Sequence, residues 1–146
     1  MSVLLDTCVL FEARHPQGNP RVRDALGQHR DDELFLSVLT VGELTKGMAL
    51  LDDGRRKHEL MTWIDGLTHR FAKQVLPVDD QIAIIWGEIT AAAQANGRII
   101  PAVDGLIAAT ALRHGLALMT RNVDDFAATG IRLINPWGAP GVHDSD

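Results

Sequence analysis

One cysteine, Cys8, stands alone in 146 residues, so the chain can close no disulfide within itself. A protein of this length buries roughly two-thirds of the surface its unfolded form exposes, and it folds as one domain without a disulfide framework or a structural metal. Long apolar runs are missing too: none approaches the ~20 residues that a membrane-spanning helix needs. No basic segment leads into a longer apolar stretch at the start. Together these absences point to a reducing cytoplasm and no membrane association. Positive charge is also in short supply. The formal net charge of −5 argues against a protein that coats nucleic acid by bulk electrostatics, yet leaves room for one that gathers acids around a metal ion. Neither GxGxxG nor GxxxxGKS/T occurs, which weakens a nucleotide-binding reading. The histidines are scattered without metal-like spacing, and no Ser/His/Asp arrangement emerges.

What the chain does have is an ordinary globular composition, 46% hydrophobic and 23% charged, which excludes a largely disordered chain. Strands and helices alternate along it. "SVLL" reads as a strand, followed by a helix from about Pro20 to His29 with Asn19 as N-cap and Pro20 at the first helical position. "ELFLSVLT" reads as a second strand. From Thr40, the residues Val41, Leu44, Met48 and Leu51 recur at helical spacing, and another helix runs from about Arg55 to Phe71. "QVLPVDD" suggests a short third strand; Asp79 or Asp80 caps a helix that Gly97 stops. Pro101 opens "PAVDGLIAATALRHG", and the strands "LALMT" and "GIRLIN" close the pattern. Strands separated by helices imply parallel pairing with right-handed crossovers, in which ligands gather beyond the carboxyl ends of the strands. The expected fold is a three-layer α/β/α sandwich around a mostly parallel five-stranded sheet. It spans residues 1–137, with 138–146 ("GAPGVHDSD") as a disordered tail that has little to bury.

Acids recur at one edge of that scheme: Asp6 after the first strand, Glu43 in the first turn after the second, Asp104 in the first turn of the Pro101 helix, then Asn122, Asp124 and Asp125 after "LALMT". Each has a plain structural explanation. Asp6 could cap the following turn as readily as it could catalyse. Thr40-x-x-Glu43 fits a capping box, so helix stabilisation is the stronger reading of Glu43 in isolation. Asp104 gains ~0.3–1 kcal/mol from the helix dipole, and Asp124 and Asp125 suit a solvated loop. Convergence changes the odds. Carboxylates crowded in one crevice repel one another and raise their own pKa values unless a cation sits between them. Hard oxygen ligands suit Mg²⁺, with Mn²⁺ as the alternative.

The ordered set "LLDT", "TVGEL", "VDGLIAATALRHGLALMTRNVDDF" and "INPW" resembles the PIN-domain ribonucleases, in particular the VapC-type toxins of bacterial toxin–antitoxin pairs and their FitB-like branch. The resemblance runs from about Val3 to Trp137. It implies a parallel sheet flanked by helices, a Mg²⁺-dependent endoribonuclease, inhibition by a cognate antitoxin, and a homodimer. By position, Asp6, Glu43 and Asp104 match the family's acidic site. Cys8 stands where the family usually has Asn, and Asn122 where many members have a fourth acid.

Phosphodiester hydrolysis needs charge neutralised on the phosphate and a water made nucleophilic, both of which a bound metal assists. Asp6 and Asp104 are assigned as the principal metal ligands, with Glu43 binding metal or orienting the attacking water. Thr7 and Thr120 can hold waters or phosphate oxygens through their hydroxyls, with Asn122 and Asp125 in support. Arg121 is a candidate phosphate contact, though a solvated surface charge is the commoner case. Arg55, Arg56 and Lys57 could meet RNA, but a solvated helix start explains them better. Trp63, Trp86 and Trp137 suit the core or a subunit contact. Two alternatives remain open. One is a phosphoryl-transfer or receiver-type α/β domain, which "DTCV" disfavours because it lacks a second Asp. The other is a non-catalytic RNA- or protein-binding module of the same fold.

Overall fold

The strand Val3–Leu5 (β1) is apolar and buried along its whole length, as a strand covered on both faces must be. The structure, a computed structural model, describes residues 1–138; the expected tail lies outside them apart from Gly138. β1 pairs in parallel with Leu34–Ser37 (β2) on one side and Ala117–Met119 (β4) on the other. Val75–Leu76 (β3) and Leu133–Ile134 (β5) complete the sheet in the order β3-β2-β1-β4-β5, parallel throughout. Thr7–Arg14 (α1) and Pro20–Gly27 (α2) connect β1 to β2, and Val38–Ala49 (α3) and Arg55–Arg70 (α4) connect β2 to β3. Asp80–Ala95 (α5) and Ala102–His114 (α6) cross back to β4, and Val123–Phe126 (α7) precedes β5.

Alternation along the strands makes the three layers, because successive side chains leave opposite faces. Val3, Leu5, Leu36 and Met119 pack on one face against Val9, Val22, Leu44, Leu60 and Phe71. Leu4 and Leu118 pack on the other against Ile107, Ala108, Ala111 and Phe126. From β1 the chain builds outward through β2 and β3, then α5 and α6 return it to the far side of β1. The direction of winding therefore reverses between β1 and β4, and a crevice opens past their carboxyl ends.

Three sequence expectations change. No helix was anticipated directly after β1, yet α1 begins at Thr7 with Asp6 as its N-cap; the run Cys8-Val9-Leu10-Phe11 has the β-branched and aromatic content that masks a helix. The second strand ends at Ser37, not Thr40, because Ser37 Oγ accepts the Leu39 N–H at 3.0 Å and starts α3 there. Thr40 thus lies inside the helix, fully buried, and Thr40-x-x-Glu43 is not a capping box. Glu43 falls in the second turn, with the helix-stabilising explanation removed.

Where α6 meets α5, Gly105 faces Trp86. A Cβ there would sit 2.9 Å from Trp86 Cδ1 and 3.0 Å from Nε1, so any larger residue must displace the indole or the helix.

Candidate active site

Asp6 is the hub of the crevice between β1 and β4. Its backbone N–H donates to the Met119 carbonyl at 3.0 Å, carrying the strand pairing one residue beyond β1. The residue is 7% exposed, and both carboxylate oxygens are bound. Oδ1 accepts the Thr7 N–H at 2.9 Å, the capping bond of α1. Oδ2 accepts the hydroxyl of Thr120 at 2.7 Å, across 114 residues of sequence. The Cys8 thiol, one helical step along α1, lies 3.8 Å from both Asp6 Oδ2 and Thr120 Oγ1. Burial raises the Cys8 pKa, the Arg121 backbone N–H opposes that, and the Asp6 charge adds to it. The thiol therefore stays protonated at neutral pH. Capping and a site role are thus compatible at Asp6: a buried carboxylate needs several donors, and the cap supplies one.

Thr7 and Thr120 hold carboxylates. Beyond its N–H on Asp6, Thr7 donates its hydroxyl to Glu43 Oε1 at 2.7 Å, tying α3 to α1 at the rim. Thr120 is wholly buried, and its Oγ1 also accepts the Asn122 N–H at 3.0 Å, which turns the chain into α7. Both hydroxyls give their one proton to an acid, so either could meet a water only as an acceptor.

Asp104 enters from the first turn of α6. Burial first, then the charges of Asp6, Asp125 and Glu43, push its carboxyl up from 3.8 to about 6. The sequence-predicted acids are thus brought to one place, and Asp125, exposed on α7, belongs with them. Phe126 is buried beside it and anchors the short helix. Asn122 is exposed and makes no side-chain capping bond, and Asp124 points to solvent. The acids are gathered without being closed into a cage: among the described residues, no three His, Cys, Asp or Glu side chains stand close enough together to hold an ion. The donor set nonetheless fits a hard divalent cation. It is all carboxylate oxygen with unbalanced negative charge, and Mg²⁺ keeps several waters and needs only one or two protein carboxylates.

The sequence marked Cys8 as a departure from the family pattern but did not place its thiol against Asp6 and Thr120, because that contact required a helix that was not anticipated. Trp137 packs partly buried against the core, as expected, and its ring also carries the guanidinium of Arg121, a contact the sequence did not show.

Comparison with known proteins bears on what such a crevice does. The family model "PIN domain" matches residues 3–131. Toxin FitB of Neisseria gonorrhoeae is 39% identical over 136 residues, 92% of this chain and 98% of that protein. VapC ribonuclease Y4jK of Sinorhizobium fredii is 33% identical over 136 residues, 92% and 97% of the two chains. The solved structure of FitAB bound to an IR36 DNA fragment superposes with a TM-score of 0.90 at 37% identity, covering 97% of this chain and 99% of that one.

Proposed function

The chain belongs to the PIN-domain family, and from that premise we propose that it is the toxin of a type II toxin–antitoxin pair: a Mg²⁺-dependent cytoplasmic endoribonuclease. One observation carries the reading, the convergence of Asp6, Glu43 and Asp125 on a half-buried Asp104 at the point where the sheet reverses direction. Four carboxylates so placed have little structural use and destabilise an empty site. No observation favours the non-catalytic alternative.

Asp6 and Asp104 would hold one Mg²⁺, or Mn²⁺ in its place, with Asp125 secondary. When bound, the ion supplies positive charge for the scissile phosphate and a more acidic water. The chain's own residues do the remaining work. Thr7 and Thr120 hold Asp6 at both oxygens, so its aim is fixed before any ligand arrives. Glu43 Oε1 accepts from Thr7, leaving Oε2 to orient the attacking water and accept its proton. α6 carries Asp104 on a rigid element packed against α5 and the sheet.

Two partners fit the surface. A trough of about 320 Å³ between α1, α2 and α4 is lined by Leu10, Leu26, Trp63 and Phe71, with Arg14 and Arg23 beside them. It suits an apolar antitoxin segment whose basic end reaches the acids and competes with the metal. Leu39, Leu50 and Val103 line an open groove of about 450 Å³ beside Glu43, a surface suited to a second copy of the chain. Among the described residues, no helix is long and apolar enough to cross a membrane.

Expression of the chain without its antitoxin, with mapping of cellular RNA ends, tests the function. Cleavage that needs Mg²⁺, stops with a chelator and disappears in a folded Asp6→Asn variant is expected. Wild-type cleavage by Asp6→Asn would refute the site.

A further inference from the structure

The acids provide for the metal and the water, but none of them can grip an RNA backbone. Arg121 can. It sits between Thr120 and Asn122, whose backbone N–H donates to the same Thr120 Oγ1 that holds Asp6. Its main chain is thus pinned at the edge of the crevice. Its side chain does not fold back on the acids: the guanidinium carbon lies 5.4 Å from the Trp137 ring centroid, over the ring. Trp137 is itself held, its N–H donating to Asn135 Oδ1 at 3.0 Å and its carbonyl accepting from Arg21 Nη1 at 3.4 Å. Among the described residues, Arg121 pairs with no carboxylate, whereas Arg30, Arg55 and Arg70 each do. It is exposed as well. An unneutralised guanidinium one residue from the Asp6 network, in a chain of net charge −5, asks for an anion from outside.

The chemistry of the guanidinium decides which kind. A guanidinium held over an aromatic ring by cation–π attraction has its position restricted while its N–H donors stay available to a phosphate oxygen pair. Pre-organised in this way, the side chain loses less freedom when the anion binds. The metal-binding acids deal with the scissile phosphate, so the anion within reach of Arg121 is a neighbouring one on the same strand. We propose that Arg121, seated on Trp137, binds a phosphate of the RNA strand next to the scissile bond and so sets the register in which the strand crosses the acids. The assignment rests on the ribonuclease reading above. It supplies affinity and register without reading base identity, as backbone contacts do.

The test measures binding of a fluorescein-labelled, mixed-sequence single-stranded RNA to the Asp6→Asn protein in Mg²⁺, where no cleavage confuses the signal, over a range of salt. Adding Arg121→Ala should weaken binding about tenfold and lower the slope of log affinity against log salt by about 0.7, the loss of one phosphate contact on a single strand. Arg121→Lys should keep the slope and recover part of the affinity. Trp137→Leu should keep the slope and weaken binding about threefold, since the charge remains but its seat is gone. Unchanged affinity and slope in the Arg121→Ala protein overturn the proposal while leaving the ribonuclease reading intact. If Arg121→Ala instead loosens only the copurified antitoxin, the residue serves the inhibitor and the proposal falls. A wild-type protein that in Mg²⁺ neither binds nor cleaves RNA overturns both.

Discussion

The two sides of the acidic crevice are built differently. On the inner side, Asp6 and Thr120 are buried and each is held at two points: the carboxylate oxygens by Thr7 and Thr120, the threonine hydroxyl by donating to Asp6 and accepting from Asn122. On the outer side, Glu43 and Asp125 are exposed, one with a single hydrogen bond to Thr7 and the other on a four-residue helix. The inner wall fixes direction at the cost of desolvating a charge. The rim keeps hydrated carboxylates that can turn toward an arriving ion or water. The proposed metal-dependent cleavage would need both properties, and dividing them between two walls avoids packing every acid rigidly against its neighbours.

The sharpest way to break this contrast is to remove one acid from each side. Asp6→Ala should abolish Mg²⁺ binding in titration calorimetry, while Asp125→Ala should weaken it only several-fold; Asn122→Asp, by adding a hard ligand, should tighten it. Equal and complete loss in both alanine variants would show that the rim acid is as much a ligand as the inner one.

Next in size is Glu43→Gln. The amide keeps an oxygen for the Thr7 hydroxyl, so melting should not change, but it cannot take a proton from water and cleavage should be lost. Retained activity would make Glu43 a tether between α3 and α1. Thr120→Val acts from behind the inner wall. It leaves Asp6 Oδ2 and the Asn122 N–H short of a partner, and should cost about 1–3 kcal/mol in chemical denaturation and roughly 10–100-fold in cleavage. A neutral outcome would mean that the hydroxyl is dispensable to the aim of Asp6.

The smallest effect is on pH. The Asp104 carboxyl, with its folded value raised to about 6 from 3.8, keeps a proton that the unfolded chain has released. Metal-free stability should therefore be highest near pH 4 and fall as pH rises toward 6. Asp31 and Glu33 have lowered values, Asp31 through hydrogen bonding to Arg70 and Glu33 through the Arg30 backbone N–H, and their opposite contributions act below pH 4.5. Thermal melts in chelator should show the decline, and Mg²⁺ should remove it. A metal-free Tm that rises between pH 4.5 and 6 would contradict the crowding of acids around Asp104.

Much of this was legible from the residues. The alternation of strands and helices, the five strands, and the placing of Asp6 and Asp104 at one edge follow from local pattern, because strand ends and helix starts are marked by Asp, Asn, Pro and Gly. The start of α3 was not, since Ser37 and Thr40 are both good caps. The choice falls to sheet pairing, which holds Leu36 and Ser37 against β3 and leaves Val38 free to turn. Nor was the commitment of Thr120 to Asp6, because a hydroxyl's partner 114 residues away leaves no local mark.

The contact of Gly105 with Trp86 widens the set of positions on which toxicity depends. Asp104 is the preceding residue, so a methyl group added at Gly105 must displace either the Trp86 ring or α6, and a shift of α6 moves the acid with it. For a cell that escapes the toxin by mutation, the vulnerable target is thus larger than the acids themselves. Among growth-restoring variants that still fold, substitutions at Gly105 should recur beside those at Asp6 and Asp104, silencing the crevice from behind α6.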